Sequence, residues 1–259
     1  MTFNIRYNNP DDGENAWPNR KDFVSDVIRY HRADLVGIQE ALSGQVDDLK
    51  KRLPEFSWFG VGRDDGKSAG EFMAIFYLKD RLELLDSSTF WLSETPNKPG
   101  MGWDAACNRV VTWGKFRDKD TGKVFFHFNT HFDHMGKTAR RESAYLLISQ
   151  VTEIAGDTPA VITGDFNAQP SSEPYKIITS SGNKSDILID SITVSRYPHY
   201  GPSGTWTGFE NTGKIGDAPI DYIFVKNSVD VLLHETISDS IAGRFPSDHM
   251  PVLVEIIIE

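Results

Sequence analysis

Seven polar side chains stand at or beside the ends of short apolar runs: Glu40, His131, Asp165, Asn167, Asp221, Asp248 and His249. Carboxylate oxygens suit a hard cation such as Mg²⁺. An imidazole, with an ordinary pKa of about 6.5, exchanges protons near neutral pH, and an amide can donate to oxygens that gain charge in a transition state. The combination suits attack of water on a phosphoester. That reaction needs a cation against phosphate charge, a base, a group that orients the base, and donors for the phosphoryl oxygens. Separately each residue has an ordinary structural explanation: Glu40 as a loop acid, Asp221 as an ion-pair partner, His131 or His249 as a satisfied buried histidine. Their joint occurrence is what points to chemistry.

The elements that must position them follow from the hydrophobic pattern. Pro159 to Asn167, PAVITGDFN, reads as a buried strand ending in polar residues. In extended geometry Asp165 and Asn167 project to one side and Phe166 to the other; an Asp-x-Asn there also suits a solvated turn capping the next helix. Thr2 to Tyr7 reads as a strand carrying Asn4. Phe23 to Ala33 has helical spacing, Asp34 to Glu40 is a strand, and Ser43 is placed to cap a helix running to Leu53. Strands are expected at 56–62, 71–78, 82–92, 109–117 and 124–131, with hairpin turn chemistry at 118–122. The longest helix spans Thr138 to Ala155 and ends at Gly156. A short helix at 172–179, a loop-rich region containing GTWTGF (204–209), and strands at 220–225, 229–237 and 251–258 complete the chain. Two strand groups with helices at both ends predict two sheets packed face to face, with helices outside.

Composition sets the bounds. The length of 259 residues and 39% hydrophobic content allow a sizeable core, and no composition break divides the chain. The single cysteine, Cys107, excludes an internal disulfide framework and a zinc–thiolate cluster. No run is long enough for a membrane span. A start directly in a strand fits a chain that has lost a leader, which leaves export open and the location unassigned. A net charge of −10 and a pI near 5.2 argue against extended contact with a phosphate backbone.

The segments TFNIRY, LVGIQE, NTHFDH, GDFN, IDYIF and SDHMPV, in this order and over nearly the whole chain, resemble the successive signatures of the endonuclease/exonuclease/phosphatase superfamily. That group includes apurinic endonucleases, deoxyribonuclease I, inositol polyphosphate 5-phosphatases, neutral sphingomyelinases and deadenylases. The resemblance implies an α/β (α+β) fold of the deoxyribonuclease I type. This is a four-layer α-β-β-α sandwich of two mixed, largely antiparallel sheets, made by residues 1–259 as a single domain, with the site at one rim. It implies Mg²⁺ (or Mn²⁺), with Glu40 as the principal ligand and Asn4 and Asp248 contacting or approaching the metal. Asp165 matches the acid that orients or activates the attacking water, and Asn167 the amide on the phosphate. His249 matches the general base or acid, oriented by Asp221, and His131 the histidine that stabilises phosphoryl oxygens. Glu71 stands where some members place an acid against that second histidine. Whether one or two metals act, and whether His249 or Asp165 takes the water's proton, stays open. FWLSETP and GWDAACNRVVTW resemble a bacterial branch, in which Arg109 is either a phosphate ligand or half of a structural salt bridge.

These readings give a divalent-metal-dependent phosphoesterase, a monomer, acting on a small or single-ended phosphoester. The alternative is a nuclease such as a 3′ exonuclease that binds nucleic acid, though not extended duplex, through rings such as Trp91, Trp103 and Trp206. A third reading, a binding module that has lost catalysis, conflicts with the intact acids and histidines.

Overall fold

Short apolar runs rich in branched and aromatic residues form most of the strands in the computed structural model of the protein, which describes residues 1–180, 187–210 and 218–259. The strands are β1 (Thr2–Asn4), β2 (Leu35–Gln39), β3 (Phe56–Phe59), β4 (Ile75–Leu78), β5 (Leu82–Trp91), β6 (Val110–Asp118), β7 (Val124–His131), β8 (Ala160–Asp165), β9 (Ile189–Asp190), β10 (Asp221–Lys226), β11 (Val229–Thr236) and β12 (Val252–Ile258). The helices are α1 (Trp17–Tyr30), α2 (Ser43–Arg52), α3 (Lys137–Ala155), α4 (Glu173–Ser180) and α5 (Ser191–Val194), with a 3₁₀ segment at Pro10–Asn15.

Two six-stranded sheets result, in the orders β11-β12-β1-β2-β4-β3 and β5-β6-β7-β8-β10-β9. The pairs β1–β2 and β7–β8 are parallel, and the other adjacent pairs are antiparallel. Val24, Val27 and Ile28 of α1 and Val46 and Leu49 of α2 share a core with Phe3, Val36, Ile38 and Phe76 of the first sheet. Leu147, Ile148 and Val151 of α3 and Ile177 and Ile178 of α4 do the same with Phe128, Ile162 and Phe224 of the second. Val161, Ile223 and Val252 meet between the sheets. The layers are therefore α-β-β-α, as expected. Each fully buried Leu, Ile or Phe contributes about 1.5–3 kcal/mol, so the strand ends at the site rest on a rigid frame.

The sheets also meet through polar groups. Gln39 Nε2 donates across the gap to Asn129 Oδ1 at 2.6 Å, and Asn129 Nδ2 donates back to the carbonyls of Ile38 and Ala74 at 2.9 and 3.1 Å. Gly37 is required here, because a Cβ would stand 2.2 Å from Thr163 Oγ1 and 2.5 Å from Asn129 Oδ1. These contacts fix the alignment of the sheets, and with it the spacing between Asn4 and Asp165 across the gap.

Several boundaries differ from those expected. β1 stops at Asn4 because Arg6 takes a positive φ of 56°. β4 begins at Ile75, which leaves Glu71 in the preceding loop. α1 begins earlier, at Trp17, where Pro18 suits the first turn. Ser43 is the first residue of α2 rather than its cap, and Gln45 Oε1 takes the amide of Leu42 instead. The loop-rich region after residue 179 contains β9 and α5.

Candidate active site

Register places three of the polar residues side by side. Asp165, the last residue of β8, pairs with His131 at the end of β7 and with Asp221 at the start of β10. On the facing sheet, Asn4 ends β1 beside Gln39, and Glu40 follows. The Asn4 amide spans the gap, donating to Glu40 Oε1 at 2.9 Å and to Asp165 Oδ2 at 3.0 Å. Glu40 and Asn167 both hold positive φ, 64° and 46°, conformations that cost energy and recur at functional sites. The amide of Tyr7 secures Glu40 Oε2 at 3.1 Å.

His249 Nδ1 lies 2.9 Å from Asp221 Oδ2, and Thr205 Oγ1 donates to the same oxygen at 2.6 Å. The Asp221 carboxylate thus fixes the tautomer that turns Nε2 toward Asp165 Oδ2, 3.7 Å away. His131 Nε2 approaches that oxygen at 3.4 Å. Asn167 leaves extended geometry, yet its side-chain nitrogen reaches His131 Nε2 at 3.0 Å and the Phe132 carbonyl at 3.1 Å. Ser247 Oγ joins the two halves, donating to the Asn4 carbonyl at 2.7 Å while lying 3.2 Å from Asp248 Oδ1.

The protonation states follow from this geometry. Burial, then the negative charge of Asp221, raises Asp165 to about 7. Burial opposes charging of His249, but Asp221 and Asp165 on either side hold its pKa well above the ordinary value. The two compete for a proton, and the ring, bonded to Asp221, keeps the charge. His131 goes the other way: burial, reinforced by Arg109 and Arg63, holds it neutral. Burial and the nearby Glu40 charge raise Asp248.

The donor set fits a divalent cation. Single ligand atoms of Glu40, His131 and Asp165 lie within 4.8 Å of one another, and Asp248 stands near enough to Glu40 to feel its charge. Oxygen donors predominate, as a hard cation requires. A second group, Asp165, Asp221 and His249, meets the same distance criterion, but there Asp221 already carries the hydrogen bonds of His249 and Thr205.

Glu71 has a different partner from the one expected. It pairs with Arg63, Oε2 to Nη1 at 2.6 Å, instead of lying against His131, whose Nδ1 has no hydrogen-bond partner among the described residues. Arg109 is buried in a salt bridge to Asp133 at 3.3 Å and donates to His134 Nδ1 at 3.0 Å, the structural alternative; its Nη1 is without a partner among the described residues. Trp91 is buried, with its indole N–H on the Arg63 carbonyl, so it offers no face to a ligand. Trp103 is half-buried, and Glu94 takes its backbone N–H. Trp206 is 51% exposed, and its backbone bridges to His249. Thr205 and Ser247 carry second contacts to the site that the sequence reading did not assign; each lies one or two residues from a residue already singled out.

The sequence profile of the Endonuclease/Exonuclease/phosphatase family matches residues 1–249. The chain is 46% identical to an endonuclease/exonuclease/phosphatase from Bacteroides vulgatus, with a TM-score of 0.93 over 100% of this chain and 97% of that one. It is 39% identical to a mannosyl-6-phosphatase from Bacteroides thetaiotaomicron, with a TM-score of 0.92 over 99% and 98% of the two chains. It is 27% identical to Nocturnin from Drosophila melanogaster over 93% of its own length but only 42% of that protein. Among the described residues no helix is long and apolar enough to cross a membrane.

Proposed function

The chain belongs to the endonuclease/exonuclease/phosphatase family and is a divalent-metal-dependent hydrolase of phosphoester bonds; from that premise we propose that it releases phosphate from a phosphomonoester carried on a sugar. The observation that carries the reading is the row His131–Asp165–Asp221, closed by His249 and faced across the sheets by Glu40.

Glu40, with Asn4 and Asp248 around it, would hold Mg²⁺ or Mn²⁺. A cation bound there supplies charge neutralisation to a phosphoryl oxygen. The remaining roles fall to the chain itself. Asp165 and His249, 3.7 Å apart, stand on one side of the site and act on the same oxygen, that of the attacking water. His249 is already charged, so Asp165, raised to about 7, takes the proton. The imidazolium of His249, held by Asp221, steadies the negative charge that develops, and the sugar oxygen leaves opposite the attacking water as the P–O bond breaks, taking its proton from solvent. His131 and the Asn167 amide lie where they can bind phosphoryl oxygens.

Charge argues against a polymer, and an exposed ring offers a platform on which a sugar can rest. The net charge of −10 provides no basic stripe for a nucleic-acid backbone. Trp206 presents an exposed aromatic face beside His249, with its indole seated over Gly208, where a Cβ would meet the ring at 3.1 Å. The mannosyl-6-phosphatase similarity agrees with this choice. The test is hydrolysis, with Mg²⁺ or Mn²⁺, of hexose 6-phosphates and inositol polyphosphates, followed as phosphate release, and of phosphocholine lipids and single-stranded oligonucleotides, followed as the cleaved monoester. The hexose phosphates should turn over fastest. Cleavage of oligonucleotides with none of the sugar phosphates would overturn the proposal in favour of a nuclease.

A further inference from the structure

Arg20, on the first turn of α1, is 4% exposed, yet among the described residues no carboxylate is its hydrogen-bond or salt-bridge partner. Its guanidinium is spent on main-chain carbonyls. Nε donates to Asn15 O at 2.7 Å, Nη2 to Arg6 O at 2.7 Å, and Nη1 to both Ile5 O and Pro246 O, the latter at 3.1 Å. The rings of Trp17 and Phe209 lie 5.2 and 5.5 Å from its central carbon. A buried cation without an ion pair is costly. Only the planar fork of an arginine can reach so many carbonyls at once.

The segments it joins are those that bear the site. Beyond Ile5 and Arg6, the Arg6 amide donates to Asn4 Oδ1 at 3.0 Å and the Tyr7 amide to Glu40 Oε2 at 3.1 Å. Beyond Pro246 come Ser247, bonded to the Asn4 carbonyl, then Asp248 and His249. Phe209 belongs to the loop whose Thr207 amide holds the Asp248 carbonyl at 2.7 Å. The charges that Arg20 faces are Asp248, Asp12 and Glu40, two of which belong to the metal site, together with the like charge of Arg6.

We propose that Arg20 is a positioning residue for the metal site, fixing the backbone behind Asn4 and Glu40 against the backbone behind Asp248 and His249. This rests on the reading of Glu40 and its neighbours as the cation site. Arg20 touches neither substrate nor metal; it sets the distance between the two sides of the site. A lysine keeps the charge but cannot bond four carbonyls, and a glutamine keeps some donors without the charge.

The experiment measures direct Mn²⁺ binding by calorimetry, without substrate, for the wild type, Glu40→Gln, Arg20→Lys and Arg20→Gln, alongside melting temperature and steady-state kinetics. Loss of an outer partner of a metal ligand typically weakens metal binding by about 10–100-fold. Arg20→Lys should fall at the low end of that range and Arg20→Gln at the high end, with turnover falling in step and KM for the sugar phosphate little changed. A lowered melting temperature with wild-type Mn²⁺ affinity would mean that Arg20 is only structural, and would overturn the proposal. If the Arg20 variants fail to fold, Ser247→Ala decides. It retains Arg20 and removes the hydroxyl that ties the Asn4 carbonyl to Asp248 and the His249 amide, so if these two backbone segments must be held together Mn²⁺ affinity should drop several-fold, and unchanged affinity would overturn the proposal. If the wild type binds no Mn²⁺ and Glu40→Gln behaves alike, the cation site itself is refuted and Arg20's role with it. Wild-type binding that Glu40→Gln weakens and the Arg20 variants leave intact would refute Arg20 alone.

Discussion

The same dipeptide occurs twice at strand ends in this chain, as Asp133-His134 after β7 and as Asp248-His249 before β12, and the two copies do opposite things. Asp133 is saturated. Its Oδ1 accepts from the amides of Met135 and Gly136 at 2.9 and 2.7 Å, and its Oδ2 accepts from the Ala106 amide at 3.1 Å and Arg109 Nε at 3.3 Å. Burial works against its charge, but those donors hold its pKa below the ordinary value. His134 is exposed and spends Nδ1 on Arg109. Cys107, Asp133 and His134 are close enough together to suggest a metal site, yet the Asp133 oxygens and His134 Nδ1 are already taken by loop amides and Arg109. In the second copy, Asp248 and His249 are buried, and the ring is oriented by a distant acid, Asp221. Residue type and adjacency therefore do not make a site. What counts is whether the oxygens and ring nitrogens are consumed by the local backbone or left facing a shared space.

Substitution in the two copies can break this contrast. His249→Ala should lower kcat by about 10²–10⁴-fold, the usual loss for a proton-handling group, with the melting temperature nearly kept. His134→Ala should stay within about twofold, as expected for an exposed side chain. Comparable losses in both would erase the distinction. Next in size, Asp221→Asn should cost about 10–100-fold in kcat, because an amide can present the wrong partner to the ring.

The acids should differ in stability, and in sign. Asp133 has a lowered pKa in the folded protein, so its charge adds stability above the unfolded value near about 3.9, and that stability is lost as pH falls through the folded pKa. Asp133→Asn should destabilise by about 1–3 kcal/mol at neutral pH while leaving turnover per folded molecule intact. Asp165, raised to about 7, has the reverse linkage: between about pH 4 and 7 the unfolded chain gives up its proton first, so stability falls as pH rises. Asp165→Asn should therefore stabilise the chelator-treated protein at pH 8, by on the order of 1 kcal/mol, while abolishing turnover. Thermal melts of both variants at that pH check the opposite signs.

Much of this contrast is legible in the sequence, and some is not. The apolar run of β8 and its polar end placed Asp165 correctly, because a buried strand has a simple signature and the side chain after it must emerge at a rim. The amphipathic spacing of Leu147, Ile148 and Val151 likewise gave α3. The pairing of Glu71 is not legible, because it depends on where a loop carries Arg63, which no periodicity encodes. Arg20 was overlooked because on a helix it resembles any solvated cation; its burial comes from Trp17, Phe209 and two loops distant in sequence. The early end of β1 depends on a positive φ at Arg6, which the residue type does not advertise.

The most direct measurement is the rate of phosphate release from a hexose 6-phosphate as Mn²⁺ is titrated into chelator-treated protein, for the wild type and Glu40→Gln. The wild type should be inactive without metal and saturate as Mn²⁺ rises. Glu40→Gln, isosteric but lacking the charge, should need about 10–100-fold more Mn²⁺ to reach half its maximum. Full activity in excess chelator, or superimposable titration curves for the two proteins, would contradict a cation held at Glu40 against the His131–Asp165–Asp221 row.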